Sequence, residues 1–187
     1  MSDHKPTDTK PATATPTTPK PADLKPHDVS DLNTLIAELW EQEQRLRFTR
    51  FGNDDAWELG CLLADLAVER GASVTVDIHR GAQQLFHRAL PGTSPDNDQW
   101  LARKRRVVER YAASSYLVGT RFRAKGTTFE ESSRLDPDRY AAHGGAFPVY
   151  VHDVGVVGVV GVSGLPQAED HALLVEGLER FLRDGRG

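Results

Sequence analysis

The sequence predicts an α+β fold in which an antiparallel sheet of about five strands is flanked by helices. Three observations carry this expectation. Two pairs of strand-like runs are joined by tight turns, which excludes an all-parallel sheet. Several longer segments repeat apolar residues at helical spacing. Residues 156–162 are apolar or glycine throughout, as suits a central strand rather than an edge.

Each element has its own justification. Residues 29–44 place Leu32, Leu35, Ile36 and Leu39 on one helical face, with Ser30 or Asp31 as N-cap. Residues 46–51 alternate apolar and basic side chains and read as a brief strand. Gly52-Asn53-Asp54 then breaks the chain and caps a helix over 55–70. Its apolar set, Trp57, Leu59, Leu62, Leu63, Leu66 and Ala67, is broad enough for a largely buried helix, and Gly71 stands where a left-handed residue ends one.

Runs 73–79 and 83–90 form a hairpin about Gly81, with Val74, Val76 and Ile78 on one face and Thr75, Asp77 and His79 on the other. The rigid loop Pro91-Gly92-Thr93-Ser94-Pro95 leads to a helix capped by Asp96 or Asn97 and reaching about residue 113, followed by a helical stretch over 115–125. A second hairpin joins 147–152 to 156–163 through Asp153-Val154-Gly155. Leu165-Pro166 opens a last helix to residue 180, with Pro166 in the first turn, where its missing N–H costs nothing.

Composition divides the 187 residues into a tail and a domain. Residues 1–28 hold six of the eleven prolines, and Leu24 is their one sizeable apolar side chain, so a disordered Pro/Thr/Lys-rich tail is expected there. Residues 29–187 suit a single domain. No window approaches the roughly 20 apolar residues of a membrane span and no signal-peptide core is evident, so the expected location is the cytoplasm. The one cysteine, Cys61, excludes an intrachain disulfide, a cysteine zinc site and an iron–sulfur cluster. A net charge of -4 disfavours non-specific nucleic-acid binding.

That net charge hides a basic segment, Arg103-Lys104-Arg105-Arg106. On a helix Trp100, Lys104, Val107, Val108 and Tyr111 share one side, while Arg103, Arg106 and Arg110 form a stripe beside it. Lys104 therefore sits on the apolar border, where it either lays its stem along the core or meets an anionic ligand. The arginine stripe suits a solvated or subunit-contacting face. Among the histidines no H-E-x-x-H or H-x-H spacing marks a metal cluster. His87 shares a strand face with Leu85 and Ala89 and reads as a core histidine. His143 precedes Gly144 and Gly145, which permit either an ordinary turn or close approach to a ligand or another subunit. Residues 161–166 lead a strand end directly into a helix start, where free amides bind anions, although the spacing of a nucleotide loop is missing.

Read together, four segments resemble a known family. They are Asn53-Asp54-Asp55-Ala56-Trp57-Glu58-Leu59-Gly60; Leu90-Pro91-Gly92-Thr93-Ser94-Pro95-Asp96-Asn97-Asp98 with Trp100 and Arg103-Lys104-Arg105; His143-Gly144-Gly145-Ala146-Phe147-Pro148; and Val162-Ser163-Gly164-Leu165-Pro166-Gln167 with Asp170-His171. The resemblance is to a cytosolic branch, without an assigned activity, of the haem-degrading-domain superfamily of GlcG-like, PduO C-terminal-like and HbpS-like proteins. It spans residues 32–182 and implies an α+β fold, homo-oligomers and, in some relatives, haem binding or breakdown. By the same resemblance the superfamily's hairpin aspartate corresponds to Asp77 and its helix lysine to Lys104. Its glycine turn corresponds to Gly144-Gly145, while Asp98, Trp100 and His143 belong to the narrower branch.

The leading expectation is an oligomeric small-ligand-binding protein for a tetrapyrrole or another anionic planar molecule. Arg103 and Lys104 would neutralise carboxylates, Trp100 would form an aromatic wall, and His143 would be the axial ligand to haem iron or an acid/base group. Asp77, Asp98, Gly144 and Gly145 complete the expected site. The alternative is a non-catalytic oligomeric adaptor for protein partners. An enzyme acting on a small metabolite would have Asp77, His79, His143 and Asp170 as acid/base groups.

Overall fold

The computed structural model describes residues 26–185. The expected tail at residues 1–28 lies outside the described residues except for its last three, which open the first helix. The elements are α1 (Pro26–Arg45), α2 (Asn53–Glu69), β1 (Thr75–Arg80), β2 (Gln83–Ala89), α3 (Pro95–Tyr111), α4 (Ser115–Ala124), α5 (Phe129–Ser133), β3 (Ala146–Val151), β4 (Gly155–Ser163) and α6 (Gln167–Arg183). The strands form one antiparallel sheet in the order β2-β1-β4-β3, so the valine-rich β4 is central, as its composition predicts.

The sheet has four strands, not five. Residues 46–51 contribute one parallel bridge, between Phe48 and Val151, because Phe48 inserts its ring into the core against Phe51 and Phe181. The segment bends around that anchor and makes no ladder. Phe48 N–H still donates to the Tyr150 carbonyl at 2.8 Å, and His152 N–H donates to the Phe48 carbonyl at 2.9 Å.

Two layers of helix enclose the sheet. Val74, Val76, Ile78, Phe147, Val149, Val160 and Val162 point to the face covered by α2 and α6, where Leu59, Leu63, Leu173, Leu178 and Phe181 complete the main core. The opposite face takes α3 through Val108, which packs on Ala146 and Val159. Gly161 lets that helix lie close, because a Cβ there would stand 2.7 Å from a Leu101 methyl carbon. A third cluster joins α1, α3, α4 and α5 around Leu39, Val107, Leu117 and Phe129.

Five further details differ from what the sequence predicts. Trp57 is 63% exposed and touches the core only edge-on, through Phe86. His87 is not a core histidine: Phe86 pairs with Ile78 on the core face of the hairpin, so His87 falls on the opposite side and bonds Asp98 at 2.6 Å. Ser94, rather than Asp96 or Asn97, caps α3, with Asn97 turning its side-chain oxygen back to the Ser94 N–H at 2.8 Å. Pro166 is the N-cap of α6, and α5 is a helix that the sequence pattern does not predict. Among the described residues no helix is long and apolar enough to cross a membrane.

Candidate functional site

The helices on the two faces of the sheet meet beyond the C-terminal end of β4. Asn97 in the first turn of α3 donates from Nδ2 to the Ser163 carbonyl at 3.2 Å, fixing that helix to the strand end. One turn later comes Trp100, and a further turn on comes Lys104. Where β4 ends, Gly164 has φ +157 and lies too close to the Ser73 carbonyl for any side chain. The chain then turns through Pro166 into α6, whose fourth residue is Asp170.

Lys104 and Asp170 close this junction. Nζ donates to Asp170 Oδ2 at 2.9 Å and to the Val162 carbonyl at 3.3 Å, while Asp170 Oδ1 accepts the Leu165 N–H at 3.0 Å. Both residues are nearly inaccessible. Burial pushes the lysine pKa down and the aspartate pKa up, and their mutual attraction opposes both shifts.

The loop His143-Gly144-Gly145 lies over the pair. Gly144 N–H donates to Gln167 Oε1 at 3.3 Å, and a Cβ on Gly144 would overlap the Gln167 carbonyl. Gly145 has φ +115, and a Cβ there would meet the Val162 carbonyl and Lys104 Nζ. The two glycines thus bring backbone against protein groups of α3, β4 and α6. His143 crosses Trp100 edge-to-face at 5.3 Å. Burial lowers its pKa, Glu130 opposes that and Lys104, Arg123 and Arg103 add to it, so the neutral ring is favoured at pH 7.

Trp100 is held on both sides. Its Nε1 donates to Asp96 at 3.1 Å, and the Arg103 guanidinium lies 3.9 Å from its ring centroid. Trp100, Lys104, His143, Ser163, Gln167 and Asp170, with Asp96, Asn97, Gly164 and Leu165, line a pocket of about 270 Å³ that opens to solvent. Three of the expected site residues therefore converge on one space. Arg103 backs the Trp100 wall, and Gly144 and Gly145 shape the loop beside it.

The other two expected residues lie elsewhere. Asp77 sits on β1, 3.1 Å from His79 Nε2 and accepting from Gln84 at 2.8 Å, while Asp98 is engaged by His87. The sequence offers Asp170 as an acid/base group and as part of the fourth family segment, not as a partner of Lys104. Its pairing with Lys104 links residues 66 positions apart and leaves no periodic trace. Among the described residues no group of three or more His, Cys, Asp or Glu is placed to hold a metal ion.

A second hollow, about 480 Å³, lies between α1, α4 and α6 and is lined in part by Leu35, Leu39, Gln42, Tyr116, His171 and Val175. His171 Nε2 meets Gln42 Oε1 at 2.8 Å, its Nδ1 has no partner, and burial pulls its pKa down to about 4.

Comparison with known proteins places this architecture. Residues 51–179 match the family described as haem degrading protein HbpS-like. A UPF0303 protein of Streptomyces coelicolor is 74% identical over 147 residues, covering 79% of this chain and 93% of the relative. Among solved structures, that of the Ybr137w protein superposes with a TM-score of 0.74 at 31% identity, covering 80% of this chain and 88% of the other. A structure described as a PduOC:heme complex shares the fold at 16% identity, with a TM-score of 0.58 over 69% of this chain and 93% of that one.

Proposed function

Because the chain belongs to the haem-degrading HbpS-like family, we propose that its cavity between α3 and α6 binds an anionic planar molecule of the tetrapyrrole class. The observation that carries this reading is the convergence of Trp100, Lys104 and His143 on one space. Trp100 offers an aromatic wall, Arg103 brings positive charge to its face, and Lys104 has one ammonium hydrogen left after Asp170 and Val162 are served.

Haem fits these residues in kind: a neutral imidazole, an aromatic face and a guanidinium stand together. When bound, it supplies an iron that a neutral imidazole can ligate. The pocket of about 270 Å³ is smaller than the roughly 300–1,000 Å³ of drug-sized sites but opens to solvent, so a macrocycle would rest one face against Trp100 and His143 with the remainder outside. Titrating hemin into the full chain while following the Soret band tests the proposal. A saturable shift that His143→Ala alters is expected; no saturable shift, or one indifferent to that substitution, overturns the histidine-ligated form.

A homo-oligomeric, cytoplasmic protein is part of the same reading. Trp57 and Val68 on α2 are exposed, Trp57 against Phe86 of the edge strand β2, and such a surface suits contact with a second copy. It suits an adaptor equally in kind, but the convergence of Trp100, Lys104 and His143 on one pocket favours the ligand-binding role.

A further inference from the structure

We propose that Lys104 is an amine nucleophile and that the cavity accepts small carbonyl compounds, with 2-oxo acids as the preferred class, forming an imine at Nζ. This inference rests on the reading of the cavity as a ligand site and names a reaction for it.

The choice of residue is the first observation. The chain has seventeen arginines and six lysines, and four of those lysines precede Pro26. Among the described residues lysine occurs only at 104 and 125. Arginine is the usual choice for a buried ion pair, but only a primary amine condenses with a carbonyl. The second observation is placement: Lys104 lines the solvent-open pocket together with Trp100, His143 and Gln167, while Gly145 lets backbone pack against Nζ where a Cβ would stand 2.5 Å away. The third is the partner. Asp170 Oδ2 at 2.9 Å can take and return a proton, and burial brings the two groups closer in pKa than they are in water.

The step balances without an oxidant. Lys104 passes one proton to Asp170, and the freed amine attacks the carbonyl carbon, forming an N–C bond. Asp170 gives its proton to the former carbonyl oxygen and takes one from the nitrogen, leaving a carbinolamine. Asp170 then protonates the hydroxyl, the C–O bond breaks and water leaves. The product is a protonated imine beside the restored carboxylate, so the buried pair stays neutral overall. A pocket of about 270 Å³ admits a small 2-oxo acid, whose carboxylate would meet the Gln167 side chain and the first amides of α6, those of Gln167 and Ala168, since the N–H groups of Glu169 and Asp170 already serve the Pro166 carbonyl.

The experiment treats the wild-type full chain with pyruvate and sodium cyanoborohydride, which reduces an imine to a stable secondary amine, and maps labelled lysines by peptide mass spectrometry. The expected result is labelling of Lys104 about tenfold or more faster than Lys125. Labelling confined to Lys125 and the lysines before Pro26, or no faster at Lys104, overturns the proposal. Asp170→Asn, checked for folding by circular dichroism, should slow labelling at Lys104 and leave Lys125 unchanged; equal slowing at both overturns Asp170 as the proton carrier. Hemin binding with Lys104 unlabelled defeats this inference alone, whereas labelling without hemin binding defeats the tetrapyrrole reading alone.

Discussion

Lys104 on α3 and Asp170 on α6 pair at 2.9 Å with side chains 3% and 2% exposed, joining the two helical layers past the end of the central strand. Removing one partner strands a charge in the interior. Asp170→Ala should lower stability by about 3–5 kcal/mol. The double variant Lys104→Met with Asp170→Leu should recover most of that, because neither residue then carries a charge into the core. Urea unfolding of the single and double variants measures both; a loss below about 1 kcal/mol for Asp170→Ala would show that the junction is held by something else.

Gly145 and Gly155 separate backbone strain from steric collision. Both have φ above +100°, but a Cβ at Gly155 meets nothing within 4 Å, whereas at Gly145 it meets Val162 and Lys104. Gly155→Ala should cost about 1–3 kcal/mol from backbone alone. Gly145→Ala should cost clearly more, which paired thermal melts will reveal.

Stability should depend on pH through His171. Its folded pKa of about 4 lies below its ordinary value of 6.5, so the unfolded chain binds the extra proton between those values. The sign follows: the contribution is complete above pH 6.5 and is lost as pH falls toward 4, by on the order of 3 kcal/mol. His79 and His143 are also held below their ordinary value and act in the same direction. The diagnostic is therefore the difference in pH slope between wild type and His171→Phe in denaturant unfolding, with the flatter profile expected for the variant.

Ligand affinity should be sensitive to the Trp100 wall. Trp100→Leu removes the face on which Arg103 rests and the ring that His143 crosses, and should weaken hemin binding about tenfold, as should Arg103→Ala. Arg106 bonds the Arg139 carbonyl away from the cavity, so Arg106→Ala should bind as wild type does. Parallel absorbance titrations compare the three.

Assembly should respond to Trp57. Placing a charge there by Trp57→Asp should dissociate an oligomer built through α2 and β2, seen as a smaller species in sedimentation. An unchanged mass would remove that surface from the interface.

Much of this architecture is legible from periodicity. The two hairpins, the central β4 and the long helices follow from alternation or from 3.6-residue spacing, which are local properties of the chain. Residues 46–51 misled because alternation reports which side chains point inward, and Phe48 points inward without a ladder beside it. His87 misled because Leu85 and Ala89 are small or half exposed on an edge strand, while Phe86 between them carries the core contact. The lining of the candidate site was legible where motifs cluster, at Trp100, Lys104 and His143. It was illegible where chemistry depends on distant pairing: nothing near Asp170 announces Lys104, and nothing near Ser114 announces that its N–H is bonded by the buried Glu43 at 2.7 Å.

The two borders of the sheet are not equivalent. Along the outer side of β3, Ala146 exchanges bonds with the Ser115 hydroxyl, Pro148 has no N–H to offer, and Tyr150 and His152 are taken by Phe48. The outer side of β2 has no strand beside it among the described residues. Strand-to-strand association can therefore proceed at one border only, and a pair formed there uses up the border that made it. The fold permits a closed twofold union and discourages an endless ribbon.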